Sequence, residues 1–439
     1  MTRGLVALLV LASIAGCSSS KSGSAANACP EDLTSDQCDQ LKAIMLPAAL
    51  PAARGNDHAG DFNSSLLGFH VFFDSRFSQN ENVRCESCHS VDFGFDDDQP
   101  VPVAGLGPGV RNAPTIFNAA RYETFFWDGR ADTLWSQPLF AFENPNEMGF
   151  TRLEIVHLLN AVYGDEYGAA FGTLPDFSDM TRFPAQGAPG NPAFDAMAPA
   201  DQTLVNSVVA NIGKALEAYE RNVATGPSIV DEYLLSTFGG ADAGGYGDAG
   251  SAAPYGGNSD AGSGTMTAQQ VHGMVVFAKS GCPACHSGPQ LSDNQFHNLG
   301  VPAAPGQAPD PGHSDAAIAT LDNNPFNSAG PFFDGADGSA AQVVSAPAVL
   351  GGFRTPSLRN LPSSAPYGHN GTFAAIGDIV DFHLQGGGTD PNGYVGTIDP
   401  LLQPQTLSTD DRAALLEFLN ALAGRYPALP WGQWPGGNG

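Results

Sequence analysis

The sequence predicts an all-α protein made of two related domains with long irregular loops. Apolar residues recur at helical spacing in several segments, and signals for β-strands are few. Two distant segments share one layout, in which a polar helix start and an apolar stripe lead through a short turn to Cys-x-x-Cys-His. Between them, residues 236–266 are rich in glycine, alanine and serine and lack periodicity, which predicts a mobile loop. The two predicted domains therefore cover residues 29–235 and 267–432.

Individual helices are marked by their start signals and apolar stripes. Ser64 opens an apolar run that leads to the first Cys-x-x-Cys-His, and Thr267 opens the equivalent run before the second. Ser408 is a typical cap residue and is followed by an acidic first turn. Further helical patterns cover residues 151–164, 201–223 and 376–387.

The first 16 residues indicate export. The apolar run from Leu5 to Ala15 is too short to span a bilayer comfortably and is typical of a signal peptide. It ends in Ile-Ala-Gly-Cys17, which resembles the bacterial lipobox, where cleavage precedes a cysteine whose sulfur is lipidated. We therefore expect a lipid on Cys17, a flexible tether over residues 17–28, and a location in the periplasm or on the outer membrane surface, with the lipid as the only membrane contact. The alternative is an ordinary cleaved leader with an incidental cysteine.

The charge of the chain is strongly acidic, which bears on its partners. The 439 residues contain 45 acidic and 18 basic side chains, for a net charge of −27. Phosphate would be repelled, so a nucleic-acid partner is not expected. An acidic surface suits a basic protein partner and fast, salt-sensitive encounter, although simple solubility explains the charge equally well.

Seven cysteines divide into a lipidation candidate, two motif pairs and one remaining pair. The remaining pair, Cys29 and Cys38, is a candidate disulfide in an exported protein. The alternative is two unpaired small core residues.

The repeated Cys-x-x-Cys-His is the attachment signature of c-type haem. Two thiols add to the haem vinyl groups, and the adjacent histidine can then bind the iron. A redox dithiol or a zinc site also uses Cys-x-x-Cys, but neither requires the adjacent histidine. The motifs predict two cytochrome c-type domains with haems near the domain interface. The attachment residues are Cys85, Cys88, Cys282 and Cys285, and the iron ligands are His89 and His286.

Further motifs resemble those of the bacterial di-haem cytochrome c peroxidases and their MauG-type relatives. They are RNAPTIFNAARYETFFWDGRADTLWSQ, NPNEMG, FHNLGVP and FRTPSLRNLPSSAPYGHNG, and they cover most of residues 67–423 in the family's order. The resemblance implies a peroxidatic N-terminal haem, a C-terminal haem that collects electrons, and Trp127 between them. It also places Glu147 and Gln137 over the open face of the first haem, where a carboxylate can move a proton between the oxygens of peroxide.

Two departures from the family pattern change the expected iron coordination. Residues 90–112 contain no histidine, whereas many relatives carry a capping histidine there. We therefore expect an accessible, five-coordinate first haem. At the position of the second haem's distal ligand, where typical peroxidases have methionine and MauG has tyrosine, this chain has His383. We expect His286 and His383 to bind the second iron together, which would lower its reduction potential.

The resemblance also implies further ligands near the haems. A calcium ion would be bound by the side chain of Asn112 and the carbonyls of Ser364 and Pro366, because oxygen ligands suit a hard cation. Arg354 would pair with a haem propionate. His297 is expected to support a haem edge or loop.

Three functions from different classes follow from these features. The first is reduction of hydrogen peroxide to water, with electrons from a small redox protein such as a basic cytochrome c or a cupredoxin. The second is MauG-like oxidation of a protein or peptide by peroxide. The third is a non-enzymatic electron-transfer module, which Glu147 and Gln137 argue against because a carrier needs no acid above an open iron. A homodimer is one expected oligomeric state.

Overall fold

The computed structural model describes residues 29–30, 32–239, 265–335 and 347–427. The predicted leader, Cys17 and the tether lie outside these residues, as does most of the glycine-rich segment. Within the described ranges, no helix is long and apolar enough to cross a membrane.

The described chain is rich in helices, as the sequence predicted. Helical runs that the apolar patterns marked appear close to their expected bounds, and 3₁₀ turns carry both Cys-x-x-Cys-His motifs. The α-helices are α1 (Ser35–Ala43), α2 (Phe62–Phe73), α3 (Gln137–Glu143), α4 (Arg152–Leu158), α5 (Gly164–Phe171), α6 (Pro192–Asp195), α7 (Pro199–Glu220), α8 (Ile229–Phe238), α9 (Ala268–Lys279), α10 (Asp315–Asp322), α11 (Ile376–Leu384) and α12 (Thr409–Ala421).

In the described ranges the β-strands form short pairs in the segment that follows the second motif. The strands are β1 (Phe296–His297), β2 (Gly312–His313), β3 (Val349–Leu350) and β4 (Phe353–Arg354). β1 pairs with β4 and β2 with β3, both antiparallel. These ladders bring the segment after the second motif against the segment that carries Arg354.

The first hydrophobic core forms where α2 crosses α7. Phe69, Phe72 and Phe73 of α2 pack their rings around Tyr219 of α7. The crossing is close because Gly68 has no side chain, and a Cβ at this position would overlap the carbonyl oxygen of Ala215. This crossing holds the end of α7 beside the first motif.

The second core repeats that arrangement with α9 and α12. The rings of Phe277 and Phe418 lie 5.2 Å apart at the crossing. Gly273 on α9 permits the close approach, since a Cβ there would overlap the carbonyl oxygen of Ala414. Each core thus contains a helix crossing with a glycine at the contact.

The two cores do not divide at the boundary that the sequence predicted. Helices α1 and α8 come from the predicted first domain, yet Leu41 and Leu234 are fully buried in the second core. Conversely, Phe326 comes from the predicted second domain and is buried in the first core. Cys29 and Cys38 form a disulfide in the structure, which ties the chain ahead of α1 to that helix.

A buried ion pair joins α8 to the segment before the second core's last helices. The guanidinium of Arg359 binds both carboxylate oxygens of Asp231, at 2.8 and 2.9 Å. It also donates to the carbonyl oxygen of Ile44, at 2.7 Å. Asp231 in turn accepts from the backbone N–H of Leu46, at 2.8 Å. One pair thus connects three separate stretches of chain.

Candidate haem and peroxide site

Both Cys-x-x-Cys-His motifs line one continuous cavity of about 690 Å³. Its walls are mainly apolar, and they include most of the residues that the sequence singled out. Among them are Cys88, Cys282, Cys285, His89, His286, His383, Trp127, Gln137, Glu147, Asn112, Arg354, Ser364 and Pro366.

The first motif presents a neutral histidine and two buried thiols. Nδ1 of His89 lies 3.3 Å from the carbonyl oxygen of Phe95, which leaves Nε2 for a metal. Burial lowers the pKa of His89, so the ring stays neutral as a ligand must. Burial also raises the pKa of Cys85 and brings that of Cys88 to about 12, so both sulfurs stay protonated until they are attached.

The histidine of the second motif is also held by a backbone carbonyl, and a second histidine, His383, lies near it. Nδ1 of His286 lies 2.9 Å from the carbonyl oxygen of Leu291, and Nδ1 of His383 lies 2.7 Å from that of Ile379. Burial, aided by the neighbouring His383, lowers the pKa of His286 to about 4. Burial likewise lowers the pKa of His383. Both rings are therefore neutral and have Nε2 available.

The separation of these two rings fits one iron between them. Metal–nitrogen distances of about 2 Å on each side place two imidazole centroids roughly 6 Å apart. The centroids of His286 and His383 are 6.5 Å apart. Within the described residues, no other histidine ring packs against His89. The two motifs therefore differ in their histidine neighbours, and the coordination of the two irons stays a prediction.

Arg354 supplies a further test of fit, because haem carries two propionates. The side chain is 6% exposed, and its Nε has no hydrogen-bond partner in the structure. Its guanidinium lies 3.8 Å from the ring centroid of Tyr122. A buried cation with an unused donor suits a carboxylate that enters the cavity. Together with the cysteines and histidines, it makes the residues present fit two c-type haems.

Glu147 lies near the first motif, since its charge helps to raise the pKa of Cys88, and Gln137 lines the same cavity. Gln137 is the first residue of α3, and Glu147 follows that helix in a turn. Asn144 donates from Nδ2 to Oε1 of Glu147 at 2.7 Å, which leaves Oε2 as the available oxygen. Burial raises the pKa of Glu147 above its usual value. A carboxyl with a raised pKa can both accept and donate a proton.

Trp127 is held by both halves of the chain. Its indole N–H donates to the carbonyl oxygen of Asn112 at 2.9 Å. Its own carbonyl oxygen accepts from the backbone N–H of Arg354 at 2.8 Å. Trp127 therefore lies on the cavity wall at the junction of the segments that follow the two motifs.

The three residues proposed for calcium line the same cavity. Asn112 donates from its amide nitrogen to the carbonyl oxygen of Gln99 at 3.0 Å, so the amide oxygen is the atom that could bind a cation. The backbone N–H of Asn112 donates to the carbonyl oxygen of His369 at 2.8 Å. This bond brings Asn112 to the stretch that contains Ser364 and Pro366.

The sequence did not reveal the acidic partners of His297. Its ring nitrogens lie 2.9 Å from Asp293 and 2.6 Å from Asp399. Hydrogen bonding to Asp293 and the neighbouring Cys285 raises the pKa of His297 to about 11, so the ring is positively charged. Both ring nitrogens of His297 are therefore engaged by carboxylates, which is compatible with the expected supporting role. The spacing from His297 to Asp293 is four residues, but nothing in the sequence points to Asp399.

Arg111 has a structural role that the sequence left open. Its guanidinium binds the carboxylate of Asp310 through two hydrogen bonds of 2.8 Å. It also pairs with Asp128, the residue after Trp127. These two carboxylates occupy the guanidinium, so Arg111 is not available to a haem propionate in the way that Arg354 is.

Fold and site together define a c-type cytochrome with two haem-binding motifs and one acid-lined pocket. Residues 63–237 match the model of the di-haem cytochrome c peroxidase family. Cytochrome-c peroxidase IdrP2 of Denitromonas iodatirespirans is 31% identical over 396 residues, which cover 87% of this chain and 88% of that protein. The chain belongs to the di-haem cytochrome c peroxidase and MauG family.

Other relatives extend over similar lengths. Cytochrome c551 peroxidase of Pseudomonas aeruginosa is 29% identical, with 90% of this chain and 89% of that protein covered. The methylamine utilization protein MauG of Methylorubrum extorquens is 25% identical, with coverage of 92% and 90%. This protein is accordingly an oxidoreductase of the cytochrome c peroxidase type.

Solved structures support the fold. A crystal structure of a MauG-like protein associated with microbial copper homeostasis matches with a TM-score of 0.58 at 23% identity, covering 88% of this chain and 98% of that one. The diheme peroxidase BthA from Burkholderia thailandensis matches with a TM-score of 0.56 at 20% identity, covering 87% and 95%.

Proposed function

We propose that this protein reduces hydrogen peroxide to water at the first haem site, with electrons that enter at the second. The observation that carries the proposal is the asymmetry of the cavity. Glu147 lies close enough to Cys88, the residue before His89, to raise the pKa of that thiol, whereas the ring of His383 lies 6.5 Å from that of His286. An acid beside an accessible metal site serves chemistry, and a metal site closed by two histidines serves electron transfer.

When bound, haem would supply the redox-active iron that takes up peroxide and passes electrons to it. The remaining chemistry is proton movement, because H₂O₂ + 2e⁻ + 2H⁺ gives 2H₂O. Oε2 of Glu147 accepts a proton from one peroxide oxygen and returns it to the other, so that the second oxygen leaves as water. Asn144 holds Oε1 and thereby orients the carboxyl. Gln137 positions the substrate through its amide.

Trp127 would connect the two haem sites. Its indole is fixed by Asn112 and its backbone by Arg354, so a relay through this ring needs no side-chain movement. The donor would be a small basic redox protein, since the chain carries a net charge of −27. A calcium ion on Asn112, Ser364 and Pro366 would stiffen this junction, and export with a lipid on Cys17 would place the protein where such donors occur.

The test is peroxide turnover by the Glu147→Gln variant of the di-haem protein. The amide keeps the shape of the side chain but cannot move the proton. We expect kcat/KM for peroxide to fall by about 10²–10⁴-fold, the usual contribution of general acid–base catalysis. Glu123→Gln removes an exposed acid and is the matched control. Full turnover by Glu147→Gln would contradict the assigned role.

A second candidate function is MauG-like oxidation of a protein or peptide by peroxide. The observation that favours it is the second histidine at His383, because two nitrogen ligands stabilise ferric iron and disfavour reduction by a high-potential donor. Steady-state assays with reduced cytochrome c and reduced cupredoxin separate the candidates. Turnover with either donor supports peroxide reduction, and reaction with peroxide but with neither donor supports protein oxidation.

A further inference from the structure

Glu220 is a buried acid on the cavity wall that the proposed catalytic steps do not use. It is the last residue of α7 and is 5% exposed. Its Oε2 has no hydrogen-bond partner in the structure. It lines the cavity together with Cys88 and His89 and is close enough to Cys85 to raise the pKa of that thiol. An unpaired carboxyl thus lies beside the attachment point of the first haem.

The neighbours of Glu220 leave it without a cation. Glu217, one turn earlier on α7, is 3% exposed and accepts from Nδ2 of Asn56 at 3.2 Å. Lys214 is paired with Asp334. Arg221 lies 3.8 Å from Glu217 and donates to the carbonyl oxygen of Pro51 at 2.6 Å.

The other elements packed near Glu220 add no compensating charge. His70 of α2 is paired with Glu166 of α5. Cys85, in the segment after α2, no longer titrates once its sulfur is a thioether. The charged group that acts on Glu220 from its own helix is Glu217, which has the same sign.

A carboxylate in this position would be unstable, because an isolated buried charge is strongly disfavoured. Burial, aided by repulsion from Glu217, raises the pKa of Glu220 to about 8. Glu217 is also affected, and burial brings its pKa to about 7. Two acids one helical turn apart therefore hold protons near neutral pH.

We propose that Glu220 is the redox-linked proton-binding group of the first haem site. At a pH high enough for Glu220 to be ionised in the oxidised protein, it takes up one proton from water when one electron enters that site, and releases it when the electron leaves. The electron comes from the external reductant, and only the O–H bond of the carboxyl forms or breaks. The coupling is electrostatic, since added negative charge in a buried cavity disfavours a nearby carboxylate. The inference rests on haem at the first motif but does not require peroxide turnover.

The test is a spectroelectrochemical titration of the first haem of the di-haem protein over a range of pH. Below about pH 8 Glu220 is protonated in both redox states, and the potential should not change with pH. Above that pH one proton accompanies each electron, so the equilibrium should change tenfold per pH unit, which is about 59 mV. Glu220→Gln should remove this slope, whereas Glu166→Gln, a more exposed acid, should keep it. A Glu220→Gln variant with the parent slope would overturn the proposal.

Infrared difference spectra between the oxidised and reduced protein give a second readout. Above pH 8 reduction should add the C=O stretch of a protonated carboxylic acid, and this band should be missing in Glu220→Gln. Glu217→Gln should move the onset of the slope to lower pH, because it removes the repulsion that raises the pKa of Glu220. Loss of the slope in Glu217→Gln but not in Glu220→Gln would show that the wrong acid was chosen. An intact slope without peroxide turnover would contradict only the proposed function.

Discussion

The ion pair between Asp231 and Arg359 gives the most direct test of how the second core is held together. The substitution is Asp231→Ala. It leaves the Arg359 guanidinium buried without its partner, and it removes the acceptor of the Leu46 backbone N–H. The side chains of the pair are only 1% and 2% exposed, so water cannot replace the lost carboxylate.

The size of the effect follows from this burial. Removing one partner of a buried pair destabilises a protein by about 3–5 kcal/mol, because the other charge remains uncompensated. The control is Asp381→Ala, which breaks the two-bond contact of Asp381 with Arg412, at 2.6 and 2.8 Å. These side chains are 56% and 36% exposed, and such pairs contribute about 0.2–1 kcal/mol. Both variants break a two-bond carboxylate–guanidinium pair, one buried and one exposed, and Asp231→Ala also removes the acceptor of the Leu46 backbone N–H.

The assay is urea unfolding of the di-haem protein, followed by circular dichroism and by haem absorbance. Although burial opposes its ionisation, the Arg359 guanidinium lowers the pKa of Asp231. The pair's contribution is therefore complete above the unfolded carboxyl's pKa of about 4 and is lost as pH falls through the lower folded value. The difference in the free energy of unfolding between Asp231→Asn and the parent protein should narrow only below about pH 4. Equal losses in Asp231→Ala and Asp381→Ala would refute the reasoning.

The remaining predictions concern the second haem and the helix crossings. His383→Ala should abolish the low-spin signal of the second haem in electron paramagnetic resonance. An unchanged signal would exclude His383 as a ligand. Gly273→Ala should destabilise the second core by about 1–3 kcal/mol in denaturant unfolding, because its Cβ overlaps the Ala414 carbonyl. Gly168→Ala on α5 meets open space and should stabilise by about 0.5–1 kcal/mol, so equal effects at the two glycines would contradict the packing argument.

Much of the architecture could be predicted because its signals are local. Apolar spacing predicted α2, α7, α9 and α12 close to their observed bounds, and the caps Thr267 and Ser408 are confirmed. The expected start of α2 at Ser64 is wrong, because the side chain of Asp61 caps this helix and Ser64 lies inside it. The two Cys-x-x-Cys-His motifs are contiguous, so the placement of Cys85 and Cys282 on similar 3₁₀ turns needed no tertiary information. The His383 position came from resemblance to a family, and its ring does lie opposite that of His286.

Features that depend on distant contacts could not be predicted in this way. The apolar residues of α1 predict that one face of this helix is buried, but they do not predict which of the two cores it joins. Asp399 is far from His297 in sequence, and its role follows only from the fold. Glu220 looks like an ordinary acid in a helix that also contains Glu217. Glu220 lacks a cationic partner because Lys214 and Arg221 bind other groups in the folded chain, and the sequence does not show those contacts.

The assignment of α1 and α8 to the second core has a consequence for how the chain is made. During synthesis, nearly all residues of the first core have been made once α7 has left the ribosome. Phe326 is made later. Helix α1 leaves the ribosome earlier but cannot be covered until its partners α8 and α9 have been made, and α9 begins at Ala268. Its apolar face must therefore stay exposed, or be shielded by another protein, while the whole first core is synthesised.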